Sequence, residues 1–452
     1  MARKKQQVVA TDVEAHTAGM LTSMMSGLGK NENIKGFNVG AGLPDDVCIP
    51  FPALCLRFLF QYEGLPLSRA IELAGEEGSC KSALLNEIAK WVIDSSGMYV
   101  YAENENKDTR ALRSALYHWD QSRISRVLDY KTTAMQDWQR FVTANIENAK
   151  EYQTREDGPG KTVPLIIGVD SLTSTATEQR VEATIKAGHG GRGYADHALV
   201  LSDYLRALPQ MFKGFPFIFA GTNHLKPGTT PQGIPTESVP GGKSMKFMST
   251  FRIRTVAKKP IDKQHLQGKV IELCMRKNSV GPNGKKFLVN FVWTRVKSAA
   301  GDSVQYASWD WHTASIMLLL TFKEAYIRNP IKELTGIVSL NAARCLGYSP
   351  VLGVPRDKPV TYYELSQLLE QRPEILQELY HILGISTSHM FQPGVCFDKQ
   401  RAAATEAMAK VVASRYANTA LLPVMTDGLF DEDISSDMLS QDTSEAVDDE
   451  DE

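Results

Sequence analysis

The sequence predicts an α/β fold with a mostly parallel central sheet, and three stretches carry that prediction. Ala70-Ile71-Glu72-Leu73-Ala74 is a short strand that runs into Gly75-Glu76-Glu77-Gly78-Ser79-Cys80-Lys81-Ser82, with an apolar-periodic helix behind it. Residues 163–169 are continuously apolar and end at Asp170, the pattern of a strand buried on both faces. Residues 215–220 repeat that pattern and end in Gly221-Thr222-Asn223-His224. Strands that alternate with helical segments imply crossover connections, hence parallel pairing.

The first stretch has the layout of a phosphate-binding loop. Successive backbone N–H groups of such a loop cradle phosphate oxygens, and the helix behind it adds its positive end. Lys81 would reach the β- and γ-phosphates, and the Ser82 hydroxyl would ligate Mg²⁺. The full pattern, G-x-x-x-x-G-K-[ST], has a glycine where this chain has Cys80. An ordinary βα turn with a chance Lys-Ser is the alternative at this point.

Two acidic residues follow at strand ends. Met98-Tyr99-Val100-Tyr101 reads as a strand leading to Ala102-Glu103. A carboxylate there lies where ligands bind in open α/β sheets, and Glu103 could orient or deprotonate an attacking water. The alternative is a solvated loop carboxylate. Asp170, at the end of its apolar strand, can hold a water on Mg²⁺.

Composition narrows the class. The 452 residues are 43% hydrophobic and 23% charged, as in globular proteins with room for two or three domains. The polar start, Met1-Ala2-Arg3-Lys4-Lys5, reads as lacking a secretory leader. The longest apolar run, residues 316–320, is too short to span a bilayer. Six cysteines without C-x-x-C spacing suit a reducing cytoplasm rather than a disulfide frame or zinc site. Residues 424–452 hold 12 acids and no Lys or Arg, so the remainder has 50 basic residues against 40 acidic ones. A basic body with an acidic tail suggests a polyanionic ligand and a tail that competes with it; a solubilising tail is the alternative.

The remaining elements follow in order. Residues 1–48 read as an N-terminal arm and 49–300 as the core. Residues 54–60 are a buried helix or strand. Residues 107–154 read as helical, through Leu112, Leu116, Trp119, Met135, Trp138 and Phe141. Residues 172–194 read as a flexible Thr-, Ser- and Gly-rich loop carrying Lys186, His189 and Arg192. Its cations and exposed amides suit phosphodiester contact. A helix at 195–208 precedes the 215–220 strand. A second long loop, 225–243, carries Lys226, Ile234, Gly241, Gly242 and Lys243, and loops of that length are usually functional or disordered. Strands are expected at 245–254, 270–275 and 285–295. Residues 301–423 read as a C-terminal helical domain that includes 315–327 and 340–346, and 424–452 as the acidic tail.

The ordered set resembles the RecA class of strand-exchange ATPases, particularly its phage-encoded members. The stretch Gly64-Leu65-Pro66-Leu67-Ser68-Arg69 through Gly75 is similar to the family's lead into its phosphate loop. Ala102-Glu103 is similar to the pair carrying its catalytic glutamate, and Val169-Asp170-Ser171 to its Walker B segment. Asn223-His224 stands where bacterial members have Asn-Gln and phage members Asn-His. Pro240-Gly241-Gly242-Lys243-Ser244-Met245-Lys246-Phe247 resembles the Thr-Gly-Gly-Asn-Ala-Leu-Lys-Phe that closes the second DNA loop. Similarity covers roughly residues 49–295.

The resemblance implies a RecA-like ATPase core and a filament of identical subunits on single-stranded DNA. It also implies ATP and Mg²⁺ as cofactors, homologous pairing with double-stranded DNA, and a cytoplasmic location. Its partners would include a recombination mediator or a single-strand-binding protein. Residues 75–82 would hold the triphosphate, with Ser82 on the metal and Asp170 in the metal's second shell. Glu103 would act on water. His224 would sense the γ-phosphate and signal to the 225–243 loop, which lines DNA with residues 184–192. Lys277 lies near the place of a lysine presented to the adjacent subunit's nucleotide, although Ser279 replaces the second lysine of that pair. Ile234 offers the second loop an apolar wedge and no stacking ring. A helicase of the same fold, or a DNA-binding filament without catalysis, is the alternative function.

Overall fold

The computed structural model describes residues 47–105, 119–187, 194–229, 235–238, 244–263, 266–297, 303–321, 383–387 and 390–403, with further single positions or pairs within 113–117, 339–346 and 371–406. The chain enters through β1 (Cys48–Pro50), α1 (Leu54–Phe60) and β2 (Gly64–Pro66), and β1 pairs antiparallel with β2. Every residue of α1 is buried, Arg57 included. The Arg57 guanidinium donates to Phe51 O at 2.9 Å and lies over the Tyr380 ring at 5.6 Å, so its charge is not stranded.

The alternating part comprises β3 (Ala70–Gly75), α2 (Lys81–Asp94), β4 (Met98–Glu103), α3 (Gln121–Ile124), β5 (Val127–Lys131), α4 (Met135–Thr154), β6 (Leu165–Asp170), α5 (Glu178–Ala187), α6 (Tyr194–Phe212) and β7 (Phe217–His224). A small antiparallel hairpin follows, β8 (Lys226–Thr229) with β9 (Pro235–Ser238). Then come α7 (Ser244–Met248), β10 (Phe251–Lys263), β11 (Leu266–Asn278), β12 (Lys286–Lys297), β13 (Ser303–Trp309) and α8 (Trp311–Thr321). The last described pair is β14 (Ser339–Leu340) with β15 (Cys345–Leu346).

Nine strands form one mostly parallel sheet, in the order β13-β12-β11-β10-β3-β7-β6-β4-β5. From β10 to β5 every neighbouring pair is parallel; β10 to β13 form an antiparallel meander. Side-chain alternation divides the core into two layers. Tyr99, Tyr101 and Ile166 face α2 in an apolar cluster that also takes in α1. Val100, Ala102, Leu165, Ile167 and Val169 face α4 and α6 in the other. Both faces of β4 and β6 are therefore covered, which explains their unbroken apolar sequences.

Residues 54–60, expected as a buried helix or strand, are a buried helix. Several other elements differ from expectation. Residues 107–154 are not helical throughout: β5 lies within them and pairs parallel with β4 at the sheet edge. Its outer side is open and four of its five residues are exposed, so it shows no apolar period. The 172–194 loop contains α5, and the strand expected at 245–254 begins as α7. Positions 339–340 and 345–346 pair as strands, where a helix was expected at 340–346. The sheet also runs past residue 300, because β13 pairs with β12, and α8 packs against β12 and α1. Among the described residues no helix is long and apolar enough to cross a membrane. Cys48, Cys55, Cys80, Cys274 and Cys396 are free thiols.

Candidate functional site

The strand order places β3, β7, β6 and β4 side by side with their carboxyl ends together. Gly75 pairs in register with His224, and Glu103 with Asp170. Leu225 N donates to Gly75 O at 3.1 Å, closing the edge between β3 and β7. Four adjacent strands at about 4.8 Å spacing span roughly 14 Å. The expected residues 75–82, 103, 170 and 224 thus share one edge of the sheet.

The 75–82 loop is shaped by contacts with β10. Ser79 Oγ donates to Glu76 O at 2.7 Å and lies 2.8 Å from Thr255 Oγ1. Gly75 has no room for a side chain, since a Cβ would fall 2.3 Å from Thr255 Oγ1 and 2.4 Å from Ser79 Oγ. Glu76, Glu77 and Gly78 are exposed, and Ser82 is partly so. Cys80 caps α2 with φ 64° and ψ 28°, a left-handed conformation that glycine adopts freely and cysteine at a cost of about 1–2 kcal/mol. Burial pushes its thiol up to about 11, against the opposing pull of Lys269 and Lys81. Lys81 is buried, and its Nζ donates to Gly75 O at 2.9 Å and Glu76 O at 2.7 Å. Its ammonium is thereby held inside the loop, beside the first turn of α2, whose N–H groups have no intrahelical acceptors.

The acidic side of the site is fixed by neighbours that sequence reading did not single out. Thr222 Oγ1 donates to Asp170 Oδ1 from β7, and Tyr101 OH donates to Oδ2 at 3.3 Å from β4. Both oxygens of this buried carboxylate are thus gripped from the flanking strands. Asn104 clasps the turn beyond it, donating to Ser171 O at 2.6 Å and accepting from Ser171 N at 2.7 Å. Glu103 is buried and accepts from Glu105 N at 3.1 Å. His224 Nε2 lies 2.8 Å from Glu105 Oε1. Behind β7, the fully buried Glu72 accepts from Asn223 Nδ2 at 3.1 Å and from Arg252 Nε, and Asn223 Oδ1 accepts from Thr173 Oγ1 at 2.8 Å. Partners of this kind leave no periodic trace, because each is a single polar residue at a strand end.

Lys277 stands apart from this group. It pairs with Arg252, three residues before Thr255, which is the residue opposite Gly75. Its Nζ donates to Lys246 O and Phe247 O, each at 2.9 Å, and burial followed by the nearby Arg252 charge lowers its pKa. Lys186 is an exposed residue of α5 with Glu182 at 3.6 Å. Lys226 begins β8. His189, Arg192, Ile234, Gly241, Gly242 and Lys243 lie outside the described residues, as do residues 1–46 and 407–452.

The donor set fits a magnesium–triphosphate group. It combines a glycine-bearing loop, a buried lysine at a helix start, a hydroxyl at Ser82 and a fixed carboxylate across the edge at Asp170. Among the described residues no three His, Cys, Asp or Glu side chains cluster as a metal cage, and Mg²⁺ commonly takes one or two protein ligands plus phosphate oxygens. The sequence matches no protein-family model and no curated protein.

Proposed function

We propose that this chain is an ATP-dependent DNA recombinase of the RecA class, which assembles as a filament on single-stranded DNA and pairs it with homologous duplex. The observation that carries this reading is the in-register meeting of Gly75 with His224 and of Glu103 with Asp170 at the ends of four adjacent strands. The 75–82 loop and Lys81 would hold the phosphates of ATP, Ser82 would hold the Mg²⁺, and Asp170 would hold a water on that ion. ATP supplies a phosphoryl group whose transfer to water releases free energy. The Glu103 carboxylate would orient that water and accept its proton. Tyr101 and Thr222 would keep Asp170 in one orientation, so that little reorganisation is needed.

The link to DNA would run through β7. His224 is its last residue, and the chain leads directly into the 225–243 segment. A hydrogen bond from His224 to a phosphate oxygen would compete with its present contact to Glu105, shifting the end of β7. The segments around 184–192 and 225–243 would bind the DNA backbone, leaving sequence recognition to base pairing. Binding by Lys and Arg should then weaken as salt rises. The test is anisotropy of labelled single-stranded DNA, with and without a slowly hydrolysed ATP analogue, together with negative-stain images. Helical filaments and tighter DNA binding with the analogue are expected. Closed rings would indicate a helicase, and DNA binding indifferent to nucleotide would indicate a non-catalytic filament.

A further inference from the structure

The antiparallel strands β10 to β13 run on past the carboxyl edge of the parallel strands. Thr255 pairs with Gly75 at the carboxyl edge, yet β10 continues to Lys263 before β11 returns from Leu266. Register shifts between Arg252 and Ile253 and between Ala257 and Lys259 mark irregularities in this ladder, and such bulges bend a strand and re-aim its side chains. Gly268 lets β12 close on the hairpin: a Cβ there would fall 2.3 Å from Phe291 O.

This arrangement carries Lys269 to the 75–82 loop. Its Nζ donates to Gly78 O at 3.2 Å. Gly78 has φ +72°, and a Cβ on it would lie 3.2 Å from the same nitrogen. Among the described residues Lys269 forms no ion pair, whereas Lys258 of the same hairpin meets Glu272 at 3.1 Å. An ammonium has three donors, so one carbonyl leaves capacity for an anion. The exposed Glu76 and Glu77 repel an incoming anion, and a second lysine offsets them.

We propose that Lys269 is a second phosphate-binding cation, contributed by the β10–β11 hairpin and acting with Lys81 on the polyphosphate of a bound nucleotide. This rests on the nucleotide reading of the loop. It places a phosphate contact on an element that no loop motif includes.

The test is equilibrium binding of a fluorescent, non-hydrolysable ATP analogue to the full-length chain. Five variants are compared: Lys269→Ala, Lys269→Gln, Lys269→Arg, Lys81→Ala and, as a control, Lys258→Ala. Glutamine can still donate to Gly78 O but carries no charge, so it separates phosphate binding from bracing of the loop. The expected result is a Kd raised roughly tenfold in both Lys269→Ala and Lys269→Gln, with Lys269→Arg close to wild type. The gap should narrow as salt increases. Lys258→Ala, on the same hairpin, should bind as the wild type does. Wild-type affinity in Lys269→Gln would overturn the proposal and leave Lys269 as a brace. Wild-type affinity in Lys81→Ala would overturn the nucleotide reading itself, and Lys269 with it.

Discussion

His224 Nε2 and Glu105 Oε1 meet at 2.8 Å, joining the ends of β7 and β4 across the intervening strand β6. The contact ties the strand that leads into the 225–243 segment to the segment that carries Glu103. It gives His224 a defined partner, with which a phosphate would have to compete.

Replacing Glu105 with Ala removes that competitor. DNA affinity without nucleotide should rise toward the value with nucleotide, so the difference between the two conditions narrows. The pair is partly exposed, so the change should be modest, up to about fivefold. Anisotropy titrations of single-stranded DNA with and without the slowly hydrolysed analogue measure it. An unchanged ratio would remove Glu105 from the coupling.

Glu103→Gln separates chemistry from binding. The carboxylate is proposed to accept a proton from water, and the amide cannot. Hydrolysis should fall by roughly 10²–10⁴-fold, while affinity for the analogue changes little. A variant with near wild-type turnover would mean that another group acts on the water.

Much of the edge was legible in the sequence because buried parallel strands write themselves as apolar runs. β6 and β7 announce both their positions and their ends, where Asp170 and His224 stand. β5 was not legible: as a largely exposed edge strand of five residues it has no apolar face. α7 reads as strand in the sequence because five residues are too few for a helical period. The partners of the site were harder to see. Glu105 is one carboxylate in a polar run, Thr222 and Tyr101 are ordinary strand residues, and Lys269 meets the loop from a hairpin almost 200 residues further along the chain. These relationships depend on strand order and twist, which no local pattern records.

Cys80 offers a pH-dependent readout of the loop. Its thiol is pushed from 9.0 up to about 11, chiefly by burial, so the neutral form is favoured in the folded protein. Alkylation of Cys80, followed by mass spectrometry, should be slow near neutrality and accelerate about tenfold per pH unit until the pH approaches 11. The stabilisation attached to this shift is complete below pH 9 and is lost as the pH rises through about 11. Rapid alkylation of Cys80 in the native protein at pH 7 would contradict the described loop.

Glu72 anchors the strands behind the site. It is fully buried between Arg252 and Asn223, so Glu72→Ala leaves a largely buried guanidinium and an amide without their acceptor. The expected loss is about 3 kcal/mol, read as a lower urea midpoint at unchanged slope. A loss below about 1 kcal/mol would show that the polar chain does not support the fold.

The most direct test is the rate of ATP hydrolysis by wild type and Lys81→Ala, each with and without single-stranded DNA. Lys81 is buried in the loop that opens α2, and no other residue is proposed to take its place. The wild type should hydrolyse ATP, faster when DNA is present, and the variant should show no hydrolysis under either condition. Full, DNA-stimulated hydrolysis by Lys81→Ala would contradict the account.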